Sequence, residues 1–520
     1  MTASMTGAQL LLKCASALGV RACFANPGTT ELALVRALEE AKEIRPVLGL
    51  FEGVCTGAAD GYGRITGVPA LTLLHLGPGL ANGMANLHNA RRAHTPVVNV
   101  VGDQATWHLP YDAPLTSDIA GLAAWASSKV VGLRTLEDIP GGTRAAIESA
   151  CAAPGGITTL IAPSDLMEGA VAPESFKPGS PLRRSAAVSV DTHRVSRAAR
   201  ALRAGPVILL LGGDALNERG QRAAARIAAA TGARLLMESY PAAVPRGGSL
   251  PYLERLAYFP QDITAQLGAA TMILAGALAP VSYFGYPGQP SRLVPDERLI
   301  ELSQPGEDGC LALEALFDAL TPTAGRADTV LSGPAGGRTS ALTPMDIAVS
   351  LVTELPEGSI VSVEGSTCGG PFLQQAHRAK PHTVMTNTGG AIGQGIPCGL
   401  GAAIARPGSR VICLQSDGSA QYTLQALWTL AREGLDVTVI IAANHRYGIL
   451  QTELRRAGAD LESAASARMT RLDSPRIDWV ALARGYGVPA ERIETSESFQ
   501  RALRHSLQTA GPSLIECQLP

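Results

Sequence analysis

Asp417 and Asn444 lie 27 positions apart, and each comes directly after an apolar segment. The two segments, VICLQS and VTVIIAA, have the composition of buried parallel strands. One helix, predicted over residues 423–432, connects the strands, and a right-handed crossover then places the two side chains next to each other. A carboxylate, an amide oxygen and the main-chain carbonyl of Arg446 form a hard oxygen site, which suits Mg²⁺ held together with a phosphate group.

Strands of the kind that position such a site are expected along the whole chain. Short apolar segments alternate with helical ones throughout. This alternation predicts parallel sheets covered by helices on both faces. The expected fold class is α/β, with three doubly wound parallel-sheet domains, and 520 residues suit three or four domains. Segments 170–186 and 322–342 read as linkers, which gives domains over residues 1–168, 187–322 and 342–520.

The overall composition favours a small-molecule partner. Lys and Arg number 43 against 45 Asp and Glu, so the chain has no global field that attracts nucleic acid or an anionic membrane. No apolar run is long enough to span a bilayer, and the N-terminus lacks a signal-peptide pattern. Nine scattered cysteines without a Cys-x-x-Cys pair are typical of a reduced, cytoplasmic protein.

The segment around Asp417 also carries a family motif. Asp-Gly-Ser, with an Asn 27 positions after its Asp and then Tyr-Gly, resembles the cofactor motif of thiamine diphosphate enzymes. The resemblance implies that Asp417, Asn444 and the Arg446 carbonyl coordinate Mg²⁺. It also implies cofactor binding by the other motif residues, which are Gly418, Ser419, Tyr447 and Gly448. Asp-Gly-Ser by itself equally suits a helix N-cap, and Ser416 stands where the family usually has Gly.

Glu52 is the second residue with the chemistry of these enzymes. It ends the apolar segment VLGLF and opens the helical segment GVCTGAADGYGR, where a Glu also suits the helix dipole. The ADGYGR sequence is similar to the same family, and the resemblance implies that Glu52 is buried and catalytic. Its carboxyl group would share a proton with N1′ of the cofactor's aminopyrimidine ring, which activates the thiazolium C2.

Two further segments resemble the family. NTGGAIGQGIP is similar to the segment that holds the aminopyrimidine, which implies that the Gly390 carbonyl accepts from the 4′-amino group and that Ile392 enforces the bent cofactor conformation. VEGST leaves a strand with Ser366 and Thr367 free to donate to diphosphate oxygens. Core packing for Ile392 and an ordinary turn for the two hydroxyls are the alternatives.

The substrate is expected beside strand ends of the first domain. Thr29 and His75 occupy positions that a Ser and a His facing the substrate fill in the benzoylformate decarboxylase branch, which implies catalytic roles for both. His108 is a further candidate, although a surface position suits it better. Residues 447–454 are expected to line the pocket. Phe284 stands in place of the second catalytic His of that branch, which removes a proton donor.

Nearly the whole chain is similar to the group of acetolactate synthase, pyruvate oxidase and benzoylformate decarboxylase. The resemblance implies thiamine diphosphate and Mg²⁺ as cofactors, a 2-oxo acid substrate, and decarboxylation followed by ligation of the enamine to a carbonyl acceptor. The alternative is a decarboxylase that releases an aldehyde. Because the cofactor lies between domains of different subunits in this family, a homodimer or homotetramer is expected.

FAD, which acetolactate synthases hold on the middle domain, is the less favoured cofactor. The segment LLLGGDAL lacks G-x-G-x-x-G, and no acid stands convincingly at the spacing of a dinucleotide site. Two other functions are open: a nicotinamide or flavin oxidoreductase centred on this turn, and a non-catalytic subunit that binds thiamine diphosphate. Glu52 argues against both, because neither has a need for that acid.

Overall fold

Three parallel β-sheets flanked by helices form the framework of the molecule. The computed structural model describes residues 5–176, 179–184, 190–320 and 341–520. Parts of both predicted linkers lie outside the described residues, namely residues 177–178, 185–189 and 321–340. The architecture confirms the predicted α/β class with doubly wound parallel sheets. The exact domain bounds stay a prediction.

The N-terminal third builds the first sheet. Its strands are β1 (Met5–Thr6), β2 (Ala22–Asn26), β3 (Arg45–Leu48), β4 (Ala70–His75), β5 (Val97–Asp103), β6 (Lys129–Gly132), β7 (Ile157–Pro163) and β8 (Ala170–Val171). Its helices are α1 (Gly7–Ala17), α2 (Leu32–Glu40), α3 (Glu52–Thr66), α4 (Leu76–Arg92), α5 (Ile119–Ala126), α6 (Asp138–Cys151) and α7 (Ser164–Glu168). Six strands lie parallel in the order β3-β2-β4-β5-β7-β6, and β1 pairs antiparallel with β8. All residues of β5 are buried, as a strand covered on both faces requires.

The middle third builds a five-stranded parallel sheet. Its strands are β9 (Val207–Leu211), β10 (Arg234–Met237), β11 (Val244–Arg246), β12 (Glu254–Arg255), β13 (Thr271–Ala275) and β14 (Leu299–Ser303). Its helices are α8 (Thr192–Ala204), α9 (Glu218–Thr231), α10 (Pro260–Leu267) and α11 (Gly309–Leu320). The sheet order is β12-β10-β9-β13-β14. The remaining strand, β11, belongs to a different sheet.

The C-terminal third builds a seven-stranded sheet. Its strands are β15 (Ile360–Val363), β16 (His382–Thr386), β17 (Val411–Ser416), β18 (Val437–Ala443), β19 (Ala490–Ile493) and β20 (Ser513–Gln518). Its helices are α12 (Pro344–Glu354), α13 (Ser366–Gln375), α14 (Gly395–Ala405), α15 (Asp417–Ala420), α16 (Ala426–Glu433), α17 (Gly448–Arg456), α18 (Ala464–Thr470), α19 (Trp479–Gly485) and α20 (Ser496–Gln508). The order is β11-β16-β15-β17-β18-β20-β19, and β11 adds an antiparallel edge with Val244 opposite Val384.

Helices α3 and α14 join the N-terminal and C-terminal thirds. A Cβ on Gly61 would collide with the carbonyl of Cys398, so the two helices approach too closely for a larger residue. Arg64 on α3 pairs with Asp60 at 2.7 Å and donates to the Thr386 carbonyl at 2.7 Å. The pair is almost fully buried. The hydrogen bond from the Arg64–Asp60 ion pair to the Thr386 carbonyl holds the N-terminal and C-terminal thirds in one orientation.

The nine cysteines are all buried free thiols. Burial raises the pKa of Cys23 to about 12, so this side chain packs as a small apolar group rather than as a nucleophile. Among the described helices, none is both long enough and apolar enough to cross a bilayer.

Candidate active site

The carboxyl ends of β17 and β18 bring Asp417 and Asn444 together. The two strands are parallel neighbours, and both polar residues are buried. One carboxylate oxygen of Asp417 accepts the N–H of His445 at 2.7 Å, and the other accepts the N–H of Gly418 at 3.0 Å. Burial raises the pKa of Asp417, and these two N–H donors oppose the rise. The carboxylate thus connects the ends of both strands.

Asn444 orients the turn that follows β18. Its Oδ1 accepts the N–H of Arg446 at 3.2 Å, and its Nδ2 donates to the Thr367 hydroxyl at 3.1 Å. Arg446 faces Arg471 in an antiparallel bridge. The hydrogen bonds of this bridge connect the residues on either side of Arg446 and Arg471, and not these two residues themselves. In such a pair the N–H and C=O of each residue point away from the opposite segment. The Arg446 carbonyl therefore points away from Arg471.

The other predicted motif residues surround Asp417. A Cβ on Gly418 would lie 2.7 Å from Cε1 of Tyr447, so the ring packs directly over this glycine. The Ser419 hydroxyl donates a hydrogen bond to the Ser416 carbonyl at 3.1 Å, and Gly448 begins α17. Residues that lie far apart in the chain thus come together around Asp417 and Asn444.

The N-terminus of α13 lies beside Asn444. Ser366 and Thr367 are its first two residues, and the Thr367 hydroxyl is the one that contacts Asn444. No side chain caps this ten-residue helix in the described structure, so its first N–H groups are free to bind an anion. Two hydroxyls and a helix terminus are suitable donors for a diphosphate.

Glu364 holds the glycine-rich segment that was predicted to bind the aminopyrimidine. Its carboxylate accepts the N–H of Gly393 at 2.7 Å and also that of Gly395. Burial raises the pKa of Glu364, and the N–H donors oppose the rise. Within this segment, Gly390 has φ 79°, a left-handed conformation that favours glycine, and Ile392 is half-buried. The sequence analysis missed Glu364, although an acid directly after β15 was the available signal.

The N-terminal third also contacts this segment. Asn89 on α4 donates from Nδ2 to the Ala391 carbonyl at 2.7 Å, and its Oδ1 accepts the N–H of Ala391 at 3.1 Å. One side-chain amide therefore pairs with both main-chain groups of the residue before Ile392. The segment is fixed from two sides, by Glu364 and by Asn89.

Thr29, Glu52 and His75 lie at one edge of the N-terminal sheet, because they follow or end the adjacent strands β2, β3 and β4. Glu52 is 7% exposed and accepts a hydrogen bond from Asn82 at 3.0 Å. A Cβ on Gly79 would lie 3.2 Å from the Glu52 carboxylate and 3.4 Å from the His75 Cβ, so the two side chains flank this glycine. Thr29 is exposed in the turn after β2.

His75 has a buried partner that the sequence analysis missed. Its Nδ1 lies 2.8 Å from a carboxylate oxygen of Glu31, which is fully buried. His108, in contrast, packs its ring against Trp107 and Tyr111, and no hydrogen bond links it to His75 among the described residues. Phe284 is 55% exposed next to Tyr283, whose hydroxyl approaches Gly390.

A cavity lies elsewhere, at the carboxyl edge of the middle sheet. Its volume is about 700 Å³, and its lining includes Asp214, Glu238 and Arg184. Glu238 directly follows β10 and accepts the N–H of Gly213 at 3.4 Å, so an acid does stand where a dinucleotide site would have one. Asp214, in the glycine turn itself, pairs with Arg184 at 2.9 Å.

Comparisons with known proteins define the family. Residues 5–122 match the model of the thiamine pyrophosphate enzyme N-terminal TPP binding domain, and residues 366–517 match that of the C-terminal TPP binding domain. The chain belongs to the thiamine pyrophosphate enzymes, which confirms the family inferred from its motifs. Within that family it falls in the group that contains acetolactate synthase and benzoylformate decarboxylase.

Three relatives support that grouping. IlvX from Mycobacterium tuberculosis, whose name assigns it provisionally to the acetolactate synthase large subunits, is 47% identical and aligns over 99% of both chains. Benzoylformate decarboxylase from Pseudomonas aeruginosa is 29% identical over 96% of both chains. Among solved structures, the thiamine diphosphate-dependent 4-hydroxybenzoylformate decarboxylase of Rhodococcus jostii RHA1 superposes over 98% of both chains with a TM-score of 0.85 at 25% identity.

Proposed function

We propose that this protein is a thiamine diphosphate- and Mg²⁺-dependent enzyme that decarboxylates a 2-oxo acid and ligates the product to a carbonyl acceptor. The observation that carries the cofactor assignment is the meeting of Asp417, Asn444 and Thr367 beyond β17 and β18. The carboxylate, the amide oxygen and the Arg446 carbonyl are the oxygen ligands that Mg²⁺ prefers. The open N-terminus of α13 suits the diphosphate.

Residues of the chain would position the cofactor and move protons. When bound, thiamine diphosphate supplies a carbon nucleophile and accepts the electron pair that departing CO₂ leaves behind. The Gly390 carbonyl and Ile392 would orient the aminopyrimidine ring, and Glu52 would hold a proton at its N1′ atom. The 3.0 Å hydrogen bond from Asn82 keeps the Glu52 carboxyl group in place for that role.

Two copies of the chain would complete each site. Among the described residues, no hydrogen bond links Glu52 to Asp417 or Asn444, and the family arrangement places them in different subunits. Several large apolar side chains of the N-terminal third are between 41% and 75% exposed: Leu32, Leu50, Trp107, Tyr111 and Leu115. These exposed apolar side chains support a homodimer or homotetramer, because a subunit interface would cover them. The buried free cysteines support a cytoplasmic location.

Phe284 supports ligation as the outcome. It stands in place of the second catalytic His of the decarboxylase branch, and a phenyl ring has no proton to donate. A carbonyl acceptor then competes more effectively with protonation for the reacting carbon. The name of IlvX, the relative with 47% identity, points in the same direction.

His75 supports the alternative, a decarboxylase that releases an aldehyde. Its Cβ and the Glu52 carboxylate flank Gly79, and the side chain is partly exposed, so it can deliver a proton at this edge of the sheet. The names of the Pseudomonas aeruginosa and Rhodococcus jostii relatives describe this reaction on aromatic 2-oxo acids.

The two outcomes separate in one experiment. Purified protein is incubated with Mg²⁺, thiamine diphosphate and either pyruvate, 2-oxobutyrate or benzoylformate, and CO₂ and products are followed by NMR. An acyloin or acetohydroxy acid supports ligation, whereas aldehyde alone supports the decarboxylase. Absence of CO₂ release from every 2-oxo acid, with cofactor binding verified by calorimetry, contradicts both.

A further inference from the structure

We infer that Glu31 is a positioning residue that fixes the tautomer of His75 and so determines which ring nitrogen exchanges protons in the active site. The inference rests on the proposed function, in which His75 transfers protons. Glu31 ends the short turn Thr29–Glu31 that follows β2, and its side chain is fully buried. Its Oε2 lies 2.8 Å from Nδ1 of His75, at the end of β4.

Donors contact both oxygens of the Glu31 carboxyl group. Oε2 accepts the N–H of Gly28 at 2.7 Å and also lies against the imidazole, and Oε1 accepts the hydroxyl of Thr30 at 2.6 Å. As a carboxylate, the group only accepts hydrogen bonds. The hydrogen of the His75–Glu31 bond must then sit on Nδ1. The neutral imidazole is left with its lone pair on Nε2.

The backbone leaves room for this pair at two positions. A Cβ on Gly28 would collide with the imidazole ring of His75, and a Cβ on Gly102 would collide with the carboxylate of Glu31. Gly28 has φ −110°, which other residues also adopt, so space and not backbone freedom explains the glycine there. Gly28, in the turn after β2, and Gly102, the next-to-last residue of β5, therefore leave room for the Glu31–His75 pair.

The hydrogen bond between Glu31 and His75 orients the imidazole ring. Nδ1 is occupied by the buried carboxylate, whereas the His75 side chain is 22% exposed at the edge where Glu52 also emerges. Among the described residues Nε2 makes no hydrogen bond, so it is the nitrogen that can accept and return a substrate proton. Holding one imidazole nitrogen with a carboxylate is a general way to orient the other.

The experiment measures the tautomer directly. Full-length protein loaded with thiamine diphosphate and Mg²⁺ is produced with ¹⁵N,¹³C-labelled histidine, and the His75 signals are assigned by their loss in His75→Gln. The expected wild-type tautomer is Nδ1–H. In Glu31→Gln the amide group can donate to Nδ1, so we expect Nε2–H and a kcat at least about tenfold lower, with KM changed by less than about threefold.

Glu31→Asp and Thr30→Val are the matched controls. Asp keeps an acceptor-only carboxylate, so we expect the Nδ1–H tautomer and partial recovery of kcat, and this variant also tests the inference if Glu31→Gln fails to fold. Thr30→Val removes a hydroxyl that lies 2.6 Å from Glu31 Oε1 and 3.2 Å from His75 Nδ1, and it should leave the tautomer unchanged because the carboxylate still accepts from Nδ1. An Nε2–H tautomer in the wild type, or Nδ1–H in folded Glu31→Gln, overturns the inference. The NMR result does not depend on turnover, so failure of the proposed reaction is seen separately.

Discussion

The carboxyl edges of the C-terminal and middle sheets share a backbone plan and differ in their side chains. In each, a central strand runs into a glycine-containing turn, and an acid stands close by. At the C-terminal edge the Asp417 carboxylate accepts N–H groups next to an open helix terminus. At the middle edge Asp214 is paired with Arg184, and Glu238 faces a cavity of about 700 Å³. The sheet thus supplies the place for a ligand, and the strand-end side chains decide which ligand binds.

Removal of the carboxylate at the C-terminal edge should have the largest effect. We expect Asp417→Ala to lower the affinity for thiamine diphosphate in the presence of Mg²⁺ by at least about a hundredfold, because a metal ligand is lost. Asp214→Ala, the matched change at the middle edge, should leave this affinity within about twofold. Isothermal titration calorimetry measures both. Equal losses in the two variants would remove the distinction between the edges.

Glu52→Gln should lower turnover by about a hundredfold or more while cofactor affinity stays within about tenfold, the pattern of a lost acid-base group. Glu238→Gln is the control at the middle edge and should retain near wild-type turnover. Steady-state kinetics on a confirmed 2-oxo acid provide the comparison. Near-normal turnover in Glu52→Gln would exclude this residue from the mechanism.

Glu238 at the middle edge should make the free energy of unfolding depend on pH. Burial raises the pKa of Glu238 to about 7. The folded protein then binds more protons than the unfolded chain between the two pKa values, so the free energy of unfolding falls as pH rises through that window. Because the side chain is partly exposed to the cavity, we expect a loss of only about 1–2 kcal/mol between about pH 5 and about pH 7.5. Urea unfolding of wild type and Glu238→Gln should differ in this slope, and identical slopes would contradict the assignment.

At the middle edge we expect no flavin to bind. The purified protein should therefore show no flavin absorbance. Asp214, paired with Arg184, places an acceptor-only carboxylate in the turn where the phosphates of a dinucleotide would need N–H donors, which disfavours their binding. An absorbance scan of freshly purified protein, with a denatured sample as reference, makes the measurement. A stoichiometric flavin spectrum would show that this edge binds FAD despite the acid.

Much of this arrangement could be predicted from local sequence. The apolar segments before Asp417 and Asn444 form adjacent parallel strands, as the predicted crossover helix requires. That helix, α16, begins at residue 426 instead of 423, because Gln421–Thr423 form a 3₁₀ turn first. The burial of Glu52 also agrees with its position between an apolar strand and a helix.

Other features could not be predicted, because they depend on long-range contacts. Strand β11 is three residues long, and only its pairing with β16 defines it as part of the C-terminal sheet. The sequence does not indicate what Glu31, Glu238 and Glu364 contact, although Glu364 directly follows an apolar strand. Their roles appear only when strand order brings a histidine, a glycine turn or a glycine-rich segment next to them.

In the proposed arrangement, Glu52 of one subunit acts with Asp417 and Asn444 of another. Subunit mixing tests this claim most directly. Inactive Glu52→Gln and Asp417→Ala proteins are mixed under conditions that allow subunit exchange, which native mass spectrometry verifies. Each hybrid dimer then contains one site with both wild-type residues, so turnover should recover to roughly a quarter of the wild-type value. Verified hybrids without any recovered turnover would contradict a site shared between subunits.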